Sequence, residues 1–175
     1  MLTVGVDTYA TVEQATAYIQ SNYSSTDTRV AAWNELEESD QEVYLRRACE
    51  ALSLLSYRGM TFTALQELPF PRYLYPDGVM AYTQLIAPLS YVYPELGDTP
   101  QDVINAQIEE AFERACPSND TEKSEIRNGA VQSVTIGHFS EHYDLTETGT
   151  VQSVLKSGRA QNLIMPYVGG AFDVL

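Results

Sequence analysis

SDQEVYLRRACEALSLLSYRG (Ser39–Gly59), followed after a short polar bridge by QELPFPR (Gln66–Arg72), is the stretch around which the chain organises itself. Leu45, Ala48, Cys49, Leu52 and Leu55 recur at the three- and four-residue intervals that stack on one face of an α-helix. Arg46, Glu50 and Ser53 fall opposite them. Ser39 with Glu42 reads as a capping box, and Gly59 is placed to end the helix. Pro69 and Pro71 then hold Phe70 extended, because each proline fixes its own φ and turns its predecessor away from helix. One central helix followed by a stiff arm carrying an aromatic and an arginine suits packing better than chemistry.

Outward from this stretch, 175 residues make one domain able to bury a core, and 44% hydrophobic against 19% charged residues is globular. Asp and Glu number 24 against 10 Lys and Arg, a net charge of −14. Such a surface repels phosphate, so nucleic-acid affinity needs a local basic patch. Arg46-Arg47 is the one basic doublet, and Glu42 and Glu50 flank it. Acidity serves solubility, or a surface that DNA must pass without sticking. Cys49 and Cys116, far apart on apolar helix positions, read as buried thiols of a reducing compartment. The N-terminus lacks a signal-peptide pattern and no apolar run spans a bilayer, so a soluble protein made in the cytoplasm is expected.

Thr11 with Gln14 is a second capping box, opening a helix to about Asn22 with Val12, Ala15, Tyr18 and Ile19 inward. Val30, Trp33 and Leu36 predict a short helix, with Trp33 in the core. Glu37–Asp40 reads as an acidic turn. Residues 73–99 read as an irregular insert, punctuated by Pro76-Asp77-Gly78, Pro88 and Pro94. Thr99-Pro100 starts a helix to about Cys116, with Ile104, Ile108, Ala111, Phe112 and Ala115 inward and Asn105, Glu109, Glu110 and Glu113 outward. After a hinge at Pro117–Glu122 the period changes to two. Asn128-Gly129 reads as the turn of a hairpin whose longer strand is Val131–Tyr143. One short helix or two follow within Val151–Tyr167, ended by Pro166 and Gly169-Gly170, and an apolar tail closes the chain. The expected fold is mainly α: a small helical bundle with an appended β-hairpin and a C-terminal helix or tail. Residues 1–117 form the helical core with the insert 73–99, and 118–175 the hairpin and tail.

The chemistry is sparse. His138, His142 and Asp144 share a strand face, yet Phe139 stands where zinc helices carry a glutamate. The pairs Glu37-Glu38 and Glu109-Glu110 read as solvated surface. No nucleophile elbow, phosphate-cradling glycine loop or Cys-x-x-Cys occurs. The expectation is a protein that is no enzyme and uses no metal or cofactor.

Several pieces in this order resemble the tailed-bacteriophage head–tail adaptor (head completion, or connector) proteins, some of which carry a DnaT-like single-stranded DNA-binding label. They are Thr8–Tyr18, Trp33 and Leu36 before the acidic turn, Leu45–Gly59, Gln66-x-Leu68-x-Phe70-Pro71-Arg72, the helix from Val103, the strand about Val131–Tyr143 and the apolar terminus. The insert from Tyr73 to Asp98 departs from the pattern. The resemblance implies a structural virion protein at the neck. It would form a ring, commonly twelvefold, beneath the portal protein, join capsid to the stopper or tail, and let double-stranded DNA pass without sequence-specific binding. It would involve no membrane. Another neck or tail-completion protein, or a DnaT-like single-strand DNA-binding protein, are the alternatives. Phe70, Pro71 and Arg72 are candidates for anchoring the arm, on a partner or on the chain's own core. Tyr167, Phe172 and Leu175 are candidates for an intermolecular contact, since an exposed apolar end is otherwise a liability.

Overall fold

The computed structural model describes residues 2–73, 98–118, 133–136, 139–142 and 154–169. Among them the chain is mainly helical: α1 Val12–Asn22, α2 Thr28–Glu35, α3 Glu38–Ser53, α4 Gln101–Ala115 and α5 Gly158–Ile164, continued by a 3-10 turn Met165–Tyr167. β1 (Met60–Thr61) pairs antiparallel with β2 (Arg72–Tyr73), and β3 (Ser133–Ile136) with β4 (Phe139–His142). The insert between residues 74 and 97, the Asn128-Gly129 turn, the Pro117–Glu122 hinge beyond Ser118, His138 and Asp144, and Phe172 and Leu175 lie outside the described residues.

α1 starts as its sequence dictates: Thr11 Oγ1 accepts the Gln14 N–H and Gln14 Oε1 accepts the Thr11 N–H. Trp33 is fully buried, its indole N–H donating to Thr16 Oγ1 at 3.1 Å. The other predicted caps shift. α3 begins one residue before Ser39, with Glu37 at the N-cap and no side-chain cap, so Ser39 and Glu42 form no capping box and the acidic turn is already helix. α3 ends at Ser53, well before Gly59, whose φ of 77° serves the turn into β1 instead. Pro100 occupies the N-cap of α4, one residue off the expected register. The predicted longer strand Val131–Tyr143 contains two short antiparallel strands, with Ile136 opposite Phe139, rather than one running through.

The core has two adjoining parts. Ala15, Ile19, Val30, Trp33, Leu45, Ile108 and Phe112 fill one, between α1, α2, α3 and α4. Cys49, Leu52, Leu55, Phe70, Val103, Leu155, Ile164 and Tyr167 fill the other, between α3, α4 and α5. α4 therefore runs through the middle, packed on α1, α3 and α5. The organising helix is α4 rather than α3, because only α4 is covered on nearly every side.

Candidate functional site

The expected solvent face of α4 is the least solvated charged surface in the described chain. Glu109 and Glu110 are 2% and 0% exposed, and Glu113 is buried as well. They are inward because α5 and the segment before it close over Glu109 and Glu110, α1 and its C-cap close over Glu109 as well, and Arg29 of α2 and Ser118 close over Glu113. The helical period correctly set these residues opposite Ile104 and Ile108, but could not say that a second layer covers them.

Each carboxylate is satisfied. Glu109 Oε1 accepts the Tyr18 hydroxyl at 2.9 Å and Oε2 accepts that of Tyr23, while the Arg159 guanidinium of α5 lies 3.3 Å away. Arg159 also sits over the Tyr23 ring, 4.9 Å from its centroid. Glu110 Oε1 accepts from Arg114 Nε at 2.7 Å and from the Lys156 amide at 3.0 Å, and Oε2 from the Ser157 amide at 2.9 Å. Glu113 Oε1 accepts the Ser118 amide at 2.7 Å, and its Oε2 lies 3.4 Å from Arg29. Gln107, fully buried, accepts from the Tyr9 amide and donates to Thr8 Oγ1 and the Leu45 carbonyl, all at 2.8 Å. Among the described residues no buried side-chain polar atom lacks a partner.

Burial pushes the Glu110 carboxyl above its ordinary range, against the opposing pull of the Ser157 and Lys156 amides and of Arg114. Burial, aided by Glu109, raises the Tyr18 hydroxyl to about 12, and burial likewise raises Tyr23. A perturbed carboxylate can mark an active site, but structural ion-pair networks perturb pKa values in the same way. Here every buried side-chain oxygen among the described residues already holds a donor from the chain itself. The cluster is a clasp for the C-terminal segment. Among the described residues no group of histidine, cysteine and carboxylate side chains could hold a metal ion, and no helix is long and apolar enough to cross a membrane.

The predicted contact residues that are described, Phe70, Pro71, Arg72 and Tyr167, make their contacts inside the chain. Phe70 is 3% exposed, ringed edge-on by Tyr57, Tyr167 and Tyr9 at centroid distances of 4.9, 5.5 and 6.4 Å. Its N–H donates to the Tyr9 hydroxyl. The Phe70-Pro71 peptide is cis, Pro71 is half-buried, and the segment folds back rather than standing out as an arm. Arg72 donates to the carbonyls of Tyr57, Arg58, Gly59 and Pro69, which ties β2 to the loop before β1. Tyr167 is buried beside Phe70, so the structure joins Phe70, Arg72 and Tyr167 at one end of the core. Cys49 and Cys116 are buried free thiols.

What the residue-by-residue reading missed is Gln107, Glu109, Glu110 and Ser157. One signal was present: Glu110 and Arg114 stand four apart, a helical ion pair. Nothing local marks Ser157 as the amide Glu110 seeks.

The chain belongs to the family described as "Putative DnaT-like ssDNA binding protein", whose profile matches residues 2–174. No curated protein and no solved structure is significantly similar to it.

Proposed function

We propose that this DnaT-like family member is a structural virion protein, a head–tail adaptor. It forms a ring below the portal protein, receives the stopper or tail, and lets double-stranded DNA pass through its lumen. In this reading it turns over no substrate, is made in the host cytoplasm and resides at the neck of the particle.

The observation that carries the reading is where the positive charge goes. Arg29 pairs with Asp27 and Glu113, Arg46 with Asp7, Arg114 with Glu110 and Arg159 with Glu109. Arg58 and Arg72 donate to backbone carbonyls. In a chain of net charge −14, six of whose ten basic residues are engaged with acids or backbone carbonyls of the chain itself, few cations are placed to line a groove for phosphates. A conduit wall, by contrast, works best when it does not grip its cargo. Phe172 and Leu175 are proposed contacts to neighbouring protein, framed by the Phe70, Pro71, Arg72 and Tyr167 end of the core.

Mixing the protein with its cognate portal and imaging the product is the test: a ring seated on the portal is expected, and a free monomer under all assembly conditions overturns the proposal. The family's description favours a second reading, binding of single-stranded DNA. That reading requires a gel shift with a single-stranded oligonucleotide at low salt that weakens steeply as salt rises. A shift of that kind at nanomolar protein would replace the adaptor reading.

A further inference from the structure

The face of α3 that points away from the core carries a pattern of its own. Val43, Arg47, Glu50 and Leu54 follow one another at intervals of four, three and four residues. At 3.6 residues per turn they fall within about 60° of the helix circumference, on the side opposite Leu45, Ala48, Cys49 and Leu52. All four are exposed, Val43 by 38% and Leu54, the C-cap of the helix, by 75%. Among the described residues neither the Arg47 nor the Glu50 side chain has a hydrogen bond or ion pair, whereas Arg46 beside them pairs with Asp7.

Intervals alternating between three and four are the seam along which two helices pack side by side. The order along this seam is apolar, basic, acidic, apolar. Reversed about the midpoint between Ala48 and Cys49, the stripe falls on itself with apolar on apolar and base on acid. A second α3 laid antiparallel sets Val43 against the partner's Leu54 and Arg47 against the partner's Glu50, and each contact is made twice. A parallel pairing would set arginine on arginine and glutamate on glutamate. The apolar ends lie about 16 Å apart along the axis, so sliding by one helical turn would bring charge against an apolar end.

We propose that this stripe is a self-complementary interface whose partner is a second copy of this chain, its α3 antiparallel about a two-fold axis. Charge complementarity points to a second copy, because one surface supplies both halves, as an isologous contact requires. The apolar ends provide the burial, and the charged centre fixes direction and register. The inference goes beyond the adaptor reading and does not rest on it, since a two-fold contact closes on itself and builds no ring.

Charge reversal in the full-length protein tests it. Sedimentation velocity at micromolar to submillimolar concentration is expected to show the wild type in a monomer–dimer equilibrium. Arg47→Glu alone and Glu50→Arg alone each set two like-charge pairs face to face, and each is expected to weaken dimerisation about tenfold or more. Mixing these two variants restores both opposite pairs, so the mixture should dimerise as the wild type does. The double variant Arg47→Glu, Glu50→Arg should do the same. Both side chains are exposed, and circular dichroism of each variant checks that the helices are intact. A wild type that stays monomeric throughout assigns the stripe to another protein or to solvent and overturns the proposal. A dimer indifferent to the single reversals, or a mixture that does not recover, places the contact elsewhere and overturns it as well.

Discussion

Glu110 Oε2 accepts the backbone N–H of Ser157 at 2.9 Å, joining the buried middle of α4 to the N-cap of α5 across 47 residues of sequence. Ser157 is doubly engaged, because its own hydroxyl accepts the Ala160 N–H that opens α5. Arg114 completes the arrangement, pairing with Glu110 and donating to the Val154 carbonyl. One carboxylate therefore sets where the C-terminal segment starts and how it lies.

Glu110→Ala removes a buried partner and leaves Arg114 and two amides without their acceptor. Breaking a buried ion pair from one side costs about 3 kcal/mol or more. Urea unfolding should show the midpoint falling with the slope unchanged, and amide exchange in 154–169 rising before that in α1. An unchanged midpoint would contradict the clasp.

Phe70→Ala opens a cavity among Tyr9, Tyr57 and Tyr167, where a buried phenylalanine truncation costs about 3–5 kcal/mol. Phe70→Leu keeps most of the volume and should cost clearly less. Thermal unfolding of the two variants provides the check, and equal losses would mean that the residue is not packed as described.

Arg72→Lys is expected to loosen the loop from Tyr57 to Arg72. Lysine places one compact charge where the guanidinium serves four carbonyls and lies 5.7 Å from the Tyr57 ring centroid. Limited proteolysis should cut within this loop faster in the variant, while α1 and α2 stay protected.

Alkali should act through the tyrosines. Burial raises Tyr9, Tyr23 and Tyr57, and Tyr18 to about 12, all above the ordinary value near 10. Because the folded values exceed the unfolded one, the stability these hydroxyls contribute is whole below pH 10 and is lost as pH climbs past it. Ultraviolet titration should show these four ionising late, together with loss of the helical signal. Smooth ionisation of all 12 tyrosines near pH 10 in a folded protein would refute this.

Cys49 should be inert towards Ellman's reagent in the native state, since burial both hides the thiol and raises it to about 12. Cys116 is buried and raised by the same cause. Both should react together on denaturation, and rapid reaction of either in the folded protein would argue against the packing of α3 and α4.

What the sequence by itself determined is local. The Thr11–Gln14 capping box opens α1 because both hydrogen bonds close within four residues. The α3 face of Leu45, Ala48, Cys49 and Leu52 is buried because helical period alone sets which residues share a side. The burial of Trp33 follows from its place three residues after Val30 on the apolar face of α2. Tertiary structure alone decided the rest. Ser39-x-x-Glu42 has the letters of a capping box, but α3 begins at Glu38, and Gly59 stands beyond a helix that has already ended. Glu109 and Glu110 occupy the polar side of α4 by period, yet α5, its leading segment and the tyrosines of α1 and its C-cap cover them and supply most of their donors. The physical reason is range. Caps and faces are settled by bonds a few residues long, whereas the solvation of a carboxylate depends on what another part of the chain brings over it.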